Sequence, residues 1–350
     1  MFPYWLIFSI FAVGSIGKLR RNATALPPLF LVAMVFLVMF IGLRYEVGGD
    51  WKPYLLMYDM VRDADWSDVL AQNDPAYMLL NRFSGTFNGE MWPVNLVCGA
   101  LFCWGLAKFA NDQPNPWLAV LIAIPYMVIV VAMGYTRQGV AIGLMLAAIP
   151  AFQRGRYVTF FFYIIFAAMF HKTVVAAIPL IALSTVRHRF LIWATAGAMG
   201  SAIFLVFIST FLDAMVDNYV NHEMNSDGAG IRVAMIAIPA FIYMLAQNRF
   251  VINEQERVLW RNFAIASLLM VVGLAVSSSS TIIDRVSLYL MPLQIVVLSR
   301  LPLAFPRNGR QNGLLIGTVI VYSAFIQFVW LNFASHAEYW VPYYTYFTKN

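Results

Sequence analysis

The chain has 350 residues, 61% of them hydrophobic and 11% charged, with a mean hydropathy of +0.71. A water-soluble domain carries about a quarter charged residues, so a soluble globule is excluded and the length is better counted in bilayer spans of about 20 residues. The net charge of +6 does not point to nucleic acid, because the basic residues lie in short loops between apolar runs and not on one polar face.

Apolar runs recur at 2–17, 27–43, 92–110, 116–133, 138–152, 157–170, 173–186, 190–212, 231–248, 262–277, 284–299 and 313–334. They predict an all-α polytopic integral membrane protein with about twelve transmembrane helices, one transmembrane domain over residues 1–350. The run at 2–17 has no basic residue before it, so it reads as a retained helix, not a secretory signal. The runs at 138–152 and 157–170 are short and must tilt, thin the bilayer or rest on neighbours. Cys98 and Cys103 share one run, off a common helix face and without a nearby His; they read as packing residues.

Numbering the connections alternately separates the charges. One set, Lys18–Ala25, Lys108–Asn115, Gln153–Arg156, Arg187–Arg189, Arg249–Arg261 and Arg300–Asn312, holds 14 of the 23 Lys and Arg but only three acids. Basic loops stay in the cytoplasm, so this set is expected inside and both termini outside. The outward set includes Arg44–Met91, where Asp59, Asp63, Asp65, Asp68 and Asp74 lie between short apolar groups. A long connection of this kind is often functional, and short amphipathic helices on the extracytoplasmic surface are expected there. A second outward insert, Asp213–Gly230, ends in a Gly-rich run that predicts a loop over the same face.

Four polar clusters stand at the outward ends of the runs. In Gly42-Leu43-Arg44-Tyr45-Glu46-Val47-Gly48-Gly49-Asp50-Trp51, paired glycines allow a sharp turn that brings Arg44 and Asp50 close, as an interfacial ion pair or as part of a site. Gly134-Tyr135-Thr136-Arg137-Gln138-Gly139 puts a guanidinium and an amide in a very short connection. A charge at a span costs about 2.5–3.5 kcal/mol, so Arg137 either snorkels or faces a wet cavity with a partner. Phe170-His171-Lys172-Thr173 offers a group that titrates near neutrality beside a compact cation, either structural or a proton carrier and anion clamp. Asp284-Arg285-Val286-Ser287-Leu288-Tyr289 offers an ion pair or a third guanidinium. Arg44, Arg137, Lys172 and Arg285 thus gather basic residues on the side where they are ordinarily scarce, which suits an anionic ligand such as a pyrophosphate. No nucleotide-binding glycine loop, zinc spacing or nucleophile elbow occurs in the sequence, so a donor already activated by phosphate and carried on lipid is expected, with no cofactor and no metal.

At these residues the chain resembles the EpsG family, the Wzy-like polymerases of bacterial exopolysaccharide and capsule. The resemblance is carried by Tyr4-Trp5, by Gly42-Leu43-Arg44-Tyr45 with Val47-Gly48-Gly49-Asp50-Trp51 and Tyr54, and by Asp74-Pro75-Ala76-Tyr77 before Leu79-Leu80-Asn81. It continues through Tyr135-Thr136-Arg137-Gln138 with Ala141, His171-Lys172-Thr173, and Arg285 with Tyr289. It implies glycosyl transfer at the outer face of the inner membrane, joining repeat units carried on polyprenyl pyrophosphate. Arg137 and Arg285, with Arg44 and Lys172, would hold the pyrophosphate, alongside Tyr135, Gln138 and Trp51 in the substrate site. His171 or Asp50 would orient or deprotonate the acceptor hydroxyl, Glu46 being a lesser candidate. Implied partners are the lipid-linked oligosaccharide, membrane lipids, a chain-length regulator and other exopolysaccharide assembly proteins. The same residues are compatible with a transporter or flippase of lipid-linked sugars, or with a related glycan ligase.

Overall fold

The computed structural model describes residues 1–17, 26–87, 89–185, 228–276 and 280–348, with positions 190, 194, 197 and 198. Most of the expected run 190–212, the insert from Asp213 to Asp227, and the connections Lys18–Ala25 and Arg187–Arg189 lie outside these residues. Every apolar run inside them carries a helix. Several helices start where a proline meets the first turn, its fixed φ suiting that position and its missing N–H costing nothing there. These are α1 (Phe2–Ser15), α2 (Pro28–Gly42), α5 (Pro75–Thr86) and α7 (Pro116–Ala123).

Among the described residues four helices are long and apolar enough to cross a membrane: Met91–Asn111, Ala229–Arg249, Glu254–Val276 and Gly313–Phe333. A bent pair, Ile283–Leu290 with Pro292–Ala304 and a 41° kink, brings the number to five if it is one span. The other apolar helices, among them α1, α2 and Tyr157–Ala168, have 10–17 residues. Part of the difference from the expected twelve lies in these lengths, and part in the run 190–212, most of which lies outside the described residues.

The chain folds as two units, Met1–His171 with Gly313–Asn350, and Lys172–Asn312. In the first unit, α6 (Met91–Asn111) lies against α8 (Thr136–Gln153), and α8 packs on α9 (Tyr157–Ala168). The α6–α8 approach is set by glycine: a Cβ on Gly105 would fall 1.8 Å from the Gly143 carbonyl oxygen, and one on Gly143 would fall 2.6 Å from the Phe102 backbone. Small residues let apolar helices meet backbone to backbone, gaining dispersion contacts where no hydrophobic driving force separates lipid from protein. Asn115 caps α7 by accepting from Leu118 N–H at 3.1 Å and donates to the Ser15 carbonyl at 2.8 Å, fixing α1 beside α7. Beyond α7 the helix widens into a π-helix, Ile124–Ala132.

The stretch Arg44–Met91 holds a two-residue strand β1 (Arg44–Tyr45) and three helices, α3 (Trp51–Val61), α4 (Trp66–Leu70) and α5. The chain after α15 (Gly313–Phe333) returns to this region. Its strand β2 (Tyr344–Thr345) pairs antiparallel with β1 in the register Arg44 to Thr345 and Tyr45 to Tyr344.

The second unit begins with a 3-10 turn, Lys172–Ala176, and α10 (Ala177–Ala182). It continues with α11 (Ala229–Ala246), α12 (Glu254–Val276), α13 (Ser280–Ser287) and α14 (Pro292–Ala304). Helix α11 packs on α12 and α14, and Arg300 on α14 pairs with Glu256 on α12 at 3.3 Å.

Candidate functional site

The turn after α2 folds because Gly48 takes φ +113, a region a side chain resists, and because a Cβ there would lie 2.5 Å from the Met133 carbonyl oxygen. Arg44, 1% exposed, is turned into this fold and not toward its surface. Its guanidinium donates to the carbonyls of Ile41 at 2.5 Å and Val47 at 3.2 Å, to Asn95 Oδ1 at 3.1 Å and to Thr136 Oγ1 at 2.7 Å. Arg44 therefore joins the ends of α2, α6 and α8, and it reaches Arg137 only through the neighbouring Thr136.

Arg137 is the second residue of α8, where the helix dipole adds positive charge. Its Nη1 donates to Asp74 Oδ2 at 2.5 Å in an ion pair whose side chains are 22% and 6% exposed. Its backbone N–H reaches the Tyr54 hydroxyl at 3.5 Å, and its guanidinium lies 5.6 Å from the centre of that ring. Burial, reinforced by the nearby Asp50 carboxylate and opposed by Arg137, pushes the Tyr54 hydroxyl up to about 12. It stays protonated and neutral under the guanidinium. Arg137 Nε and the hydroxyl of Tyr77, whose ring centre is 5.4 Å from that of Tyr54, have no hydrogen-bond partner among the described residues.

Asp74 sits at the start of α5 with φ +56, an uncommon conformation for a residue with a side chain and a costly one before proline. Such strain persists where the surroundings hold it, and it concentrates at sites. Here the surroundings are the Arg137 ion pair and a bond from Ala76 N–H to the Met169 carbonyl at 3.1 Å. That bond ties the Asp74 turn to the end of α9, two residues before the half-buried His171.

Asp50 precedes α3, and its carbonyl accepts from Tyr54 N–H at 3.0 Å; Trp51 opens the helix and is buried. Tyr135 is half-buried in front of α8, with its N–H bonded to the Val131 carbonyl at 2.8 Å, and Gln138 is buried beside Arg137. The first unit thus brings together Arg137, Asp74 and Tyr54, with Arg44 behind them. It also carries Asp50, Trp51, Tyr135, Gln138 and His171 on turns or helix ends. In the second unit Lys172 is buried in its 3-10 turn, and Thr173 Oγ1 lies 2.8 Å from the Tyr289 hydroxyl. There Asp284 pairs with Arg232, and Arg285 is half-buried on α13.

Asp74 and Tyr54 stand in the motifs quoted above, yet the sequence suggested no role for either, because only the ion pair across α5 and α8 reveals one. The C-terminal segment is a second such element. Trp340 is buried against Gly134, where a Cβ would lie 2.5 Å from its ring, and its Nε1 donates to the Ile129 carbonyl in the π-helix at 2.6 Å. Its own carbonyl accepts from the Tyr4 hydroxyl at 2.6 Å, and the Tyr339 carbonyl accepts from Gly48 N–H at 2.8 Å. Six aromatic residues in a polar tail, Tyr339, Trp340, Tyr343, Tyr344, Tyr346 and Phe347, were the one available signal. Among the described residues no group of three or more His, Cys, Asp or Glu is placed to hold a metal ion.

Neither the curated proteins nor the solved structures compared with the chain give a match. A family profile does, across residues 28–345, a span that contains every residue of the Arg137 cluster. The chain belongs to the EpsG family.

Proposed function

We propose that the protein polymerises oligosaccharide repeat units carried on polyprenyl pyrophosphate, as a glycosyltransferase of exopolysaccharide or capsule assembly. In this reading it is a protein of about twelve spans in the bacterial inner membrane that works on the periplasmic side. Family membership and the apolar helices support the membrane and exopolysaccharide parts. The observation that carries the chemistry is Arg137: a partly open guanidinium at a helix N-terminus, braced by Asp74 and stacked near Tyr54.

In the proposed reaction an acceptor hydroxyl attacks the anomeric carbon of the donor glycan. The bond from that carbon to the pyrophosphate oxygen breaks, and the lipid pyrophosphate leaves with the bonding electrons. Arg137 binds the departing phosphate oxygens as their charge grows, and the effect is large because the pair sits in a partly dry setting. The acceptor proton passes to His171 or Asp50, both carried by the first unit. Arg44 acts through position, holding Thr136 and thereby the first turn of α8. Lys172 and Arg285, carried by the second unit, are further proposed substrate-binding residues. A lipid-linked oligosaccharide is the substrate, and membrane lipids and other assembly proteins are partners.

The test is polymer length made from a purified lipid-linked repeat unit. Arg137→Ala is expected to abolish long glycan. Because it also leaves Asp74 unpaired, Arg137→Lys is the decisive companion: an ammonium keeps a cation against Asp74 but cannot reproduce the guanidinium fork. Inserted, folded Arg137→Lys protein should make product at least about tenfold more slowly, the loss of one such contact at a transition state. Wild-type polymer from the Lys variant would overturn the assignment.

A further inference from the structure

We infer that a groove in the first unit, of ≈ 590 Å³, binds a segment of the glycan chain and selects neutral or amino-sugar residues over acidic ones. The inference rests on the proposed transfer reaction only for the identity of its occupant.

The groove is lined by one face of α3, by the ends of α5 and α6, and by the returning C-terminal segment. On α3 the residues Trp51, Leu55, Tyr58 and Arg62 follow a 4-3-4 spacing that places them on one stripe. Tyr54, one position off that stripe, is the residue that lies under Arg137. One short helix thus carries a groove wall and a wall of the Arg137 cluster. The aromatic part of the lining is a packed group: the ring of Tyr45 lies 5.8 Å from Trp51 and 5.1 Å from Tyr346. Rings in mutual contact leave no room for a cation among them, so they present a surface and not a cage. Sugar rings stack their C–H faces on such surfaces, because those hydrogens are drawn to the negative face of the π system.

Four carboxylates also line the groove, Glu46, Asp59, Asp63 and Glu90, against the one guanidinium of Arg62. That guanidinium is already engaged by Asp59 at 3.4 Å and Asp63 at 3.2 Å. Glu46 holds φ +52, a left-handed conformation uncommon for a residue with a side chain, and it stands exposed at the groove. Glu46 and Glu90 stand on other segments than Asp59 and Asp63, and no group of three acids, His or Cys among the described residues is placed to hold a metal ion. Spaced carboxylates suit a row of sugar hydroxyls, which donate to them. A lining this polar is a poor place for an acyl chain. Its volume falls within the range of about 300–1,000 Å³ usual for small-molecule sites. The excess of negative charge repels a uronic acid and attracts an ammonium.

Saturation-transfer NMR on the purified protein in detergent tests this with three lipid-free oligomers of equal length, built of glucose, glucosamine or galacturonate. Transfer is expected to the glucose and glucosamine oligomers, and at least about tenfold less to the galacturonate oligomer, given several like charges in one groove. Leu55 is 42% exposed in the groove, so Leu55→Trp should fill it without disturbing the fold and erase all transfer. The double variant Glu46→Gln with Glu90→Gln should raise the galacturonate signal toward that of glucose. Absence of transfer to folded protein, transfer that survives Leu55→Trp, or a galacturonate signal as strong as the others would each overturn the inference. The assay needs neither lipid nor polymerisation. Oligomer binding by a protein that makes no polymer sinks the transferase reading alone, while polymer made without oligomer binding sinks the groove alone.

Discussion

Arg44 and Arg137 are both arginines at the ends of apolar runs, each near glycines, and burial gives them different work. Arg44 donates to two carbonyls, an amide oxygen and a hydroxyl, all inside the first unit. Each buried acceptor stripped of its donor costs about 1–3 kcal/mol. Arg44→Ala is therefore expected to lower the thermal unfolding temperature in detergent by several degrees or to prevent folding, and the activity lost should track the folded fraction. A well-folded Arg44→Ala protein without activity would instead make Arg44 a ligand-binding residue. Arg137 should give the opposite pattern in its Lys variant, with folding kept and turnover lost. The sequence could not separate the two, because the difference lies in Asn95 and Thr136 meeting one guanidinium and Asp74 meeting the other. Those partners are 51, 92 and 63 residues away along the chain.

At the scale of elements, the helices were legible and the closure was not. Apolar length and prolines at first turns are local properties, so α1 and α2 fall within the runs that announce them, and α6 and α8 overrun theirs by only one or two residues at each end. The π-helix and the β1–β2 pair are not local. They exist because the chain beyond α15 comes back to lay Trp340 on Gly134 and Tyr344 beside Tyr45. Trp340→Phe keeps most of the buried surface but removes the donor to the Ile129 carbonyl. A loss of about 1 kcal/mol is expected from one hydrogen bond, with some further loss from the smaller ring. Gly134→Ala pushes a methyl to within 2.5 Å of the indole; overpacking of this kind costs about 1–3 kcal/mol. Both variants should also slow polymer formation, since the displaced segment carries Tyr346 and adjoins the turn of Gly48 and Asp50. Full activity in a measurably destabilised Gly134→Ala protein would show that the tail is only a brace.

For the whole molecule, hydropathy and the alternation of basic loops predicted a sidedness that helix lengths alone do not provide. Four or five described helices have the length to cross a membrane unaided, while α1, α2 and α9 are short. Short apolar helices cross by thinning the bilayer or by leaning on longer neighbours, as α2 leans on α6, where a Cβ on Gly42 would meet the Leu96 backbone at 2.6 Å. The charge pattern then decides which ends face which side. Cysteine labelling in intact cells tests the result cleanly, because the native Cys98 and Cys103 are buried in α6 and should contribute little background. Lys52 on α3 and Arg156 before α9 are both exposed in the first unit. A membrane-impermeant maleimide should label Lys52→Cys directly and Arg156→Cys only after the membrane is opened. Labelling of Lys52→Cys only after the membrane is opened would put α3 and the Arg137 cluster on the cytoplasmic side, where a lipid pyrophosphate presented in the periplasmic leaflet could not reach them.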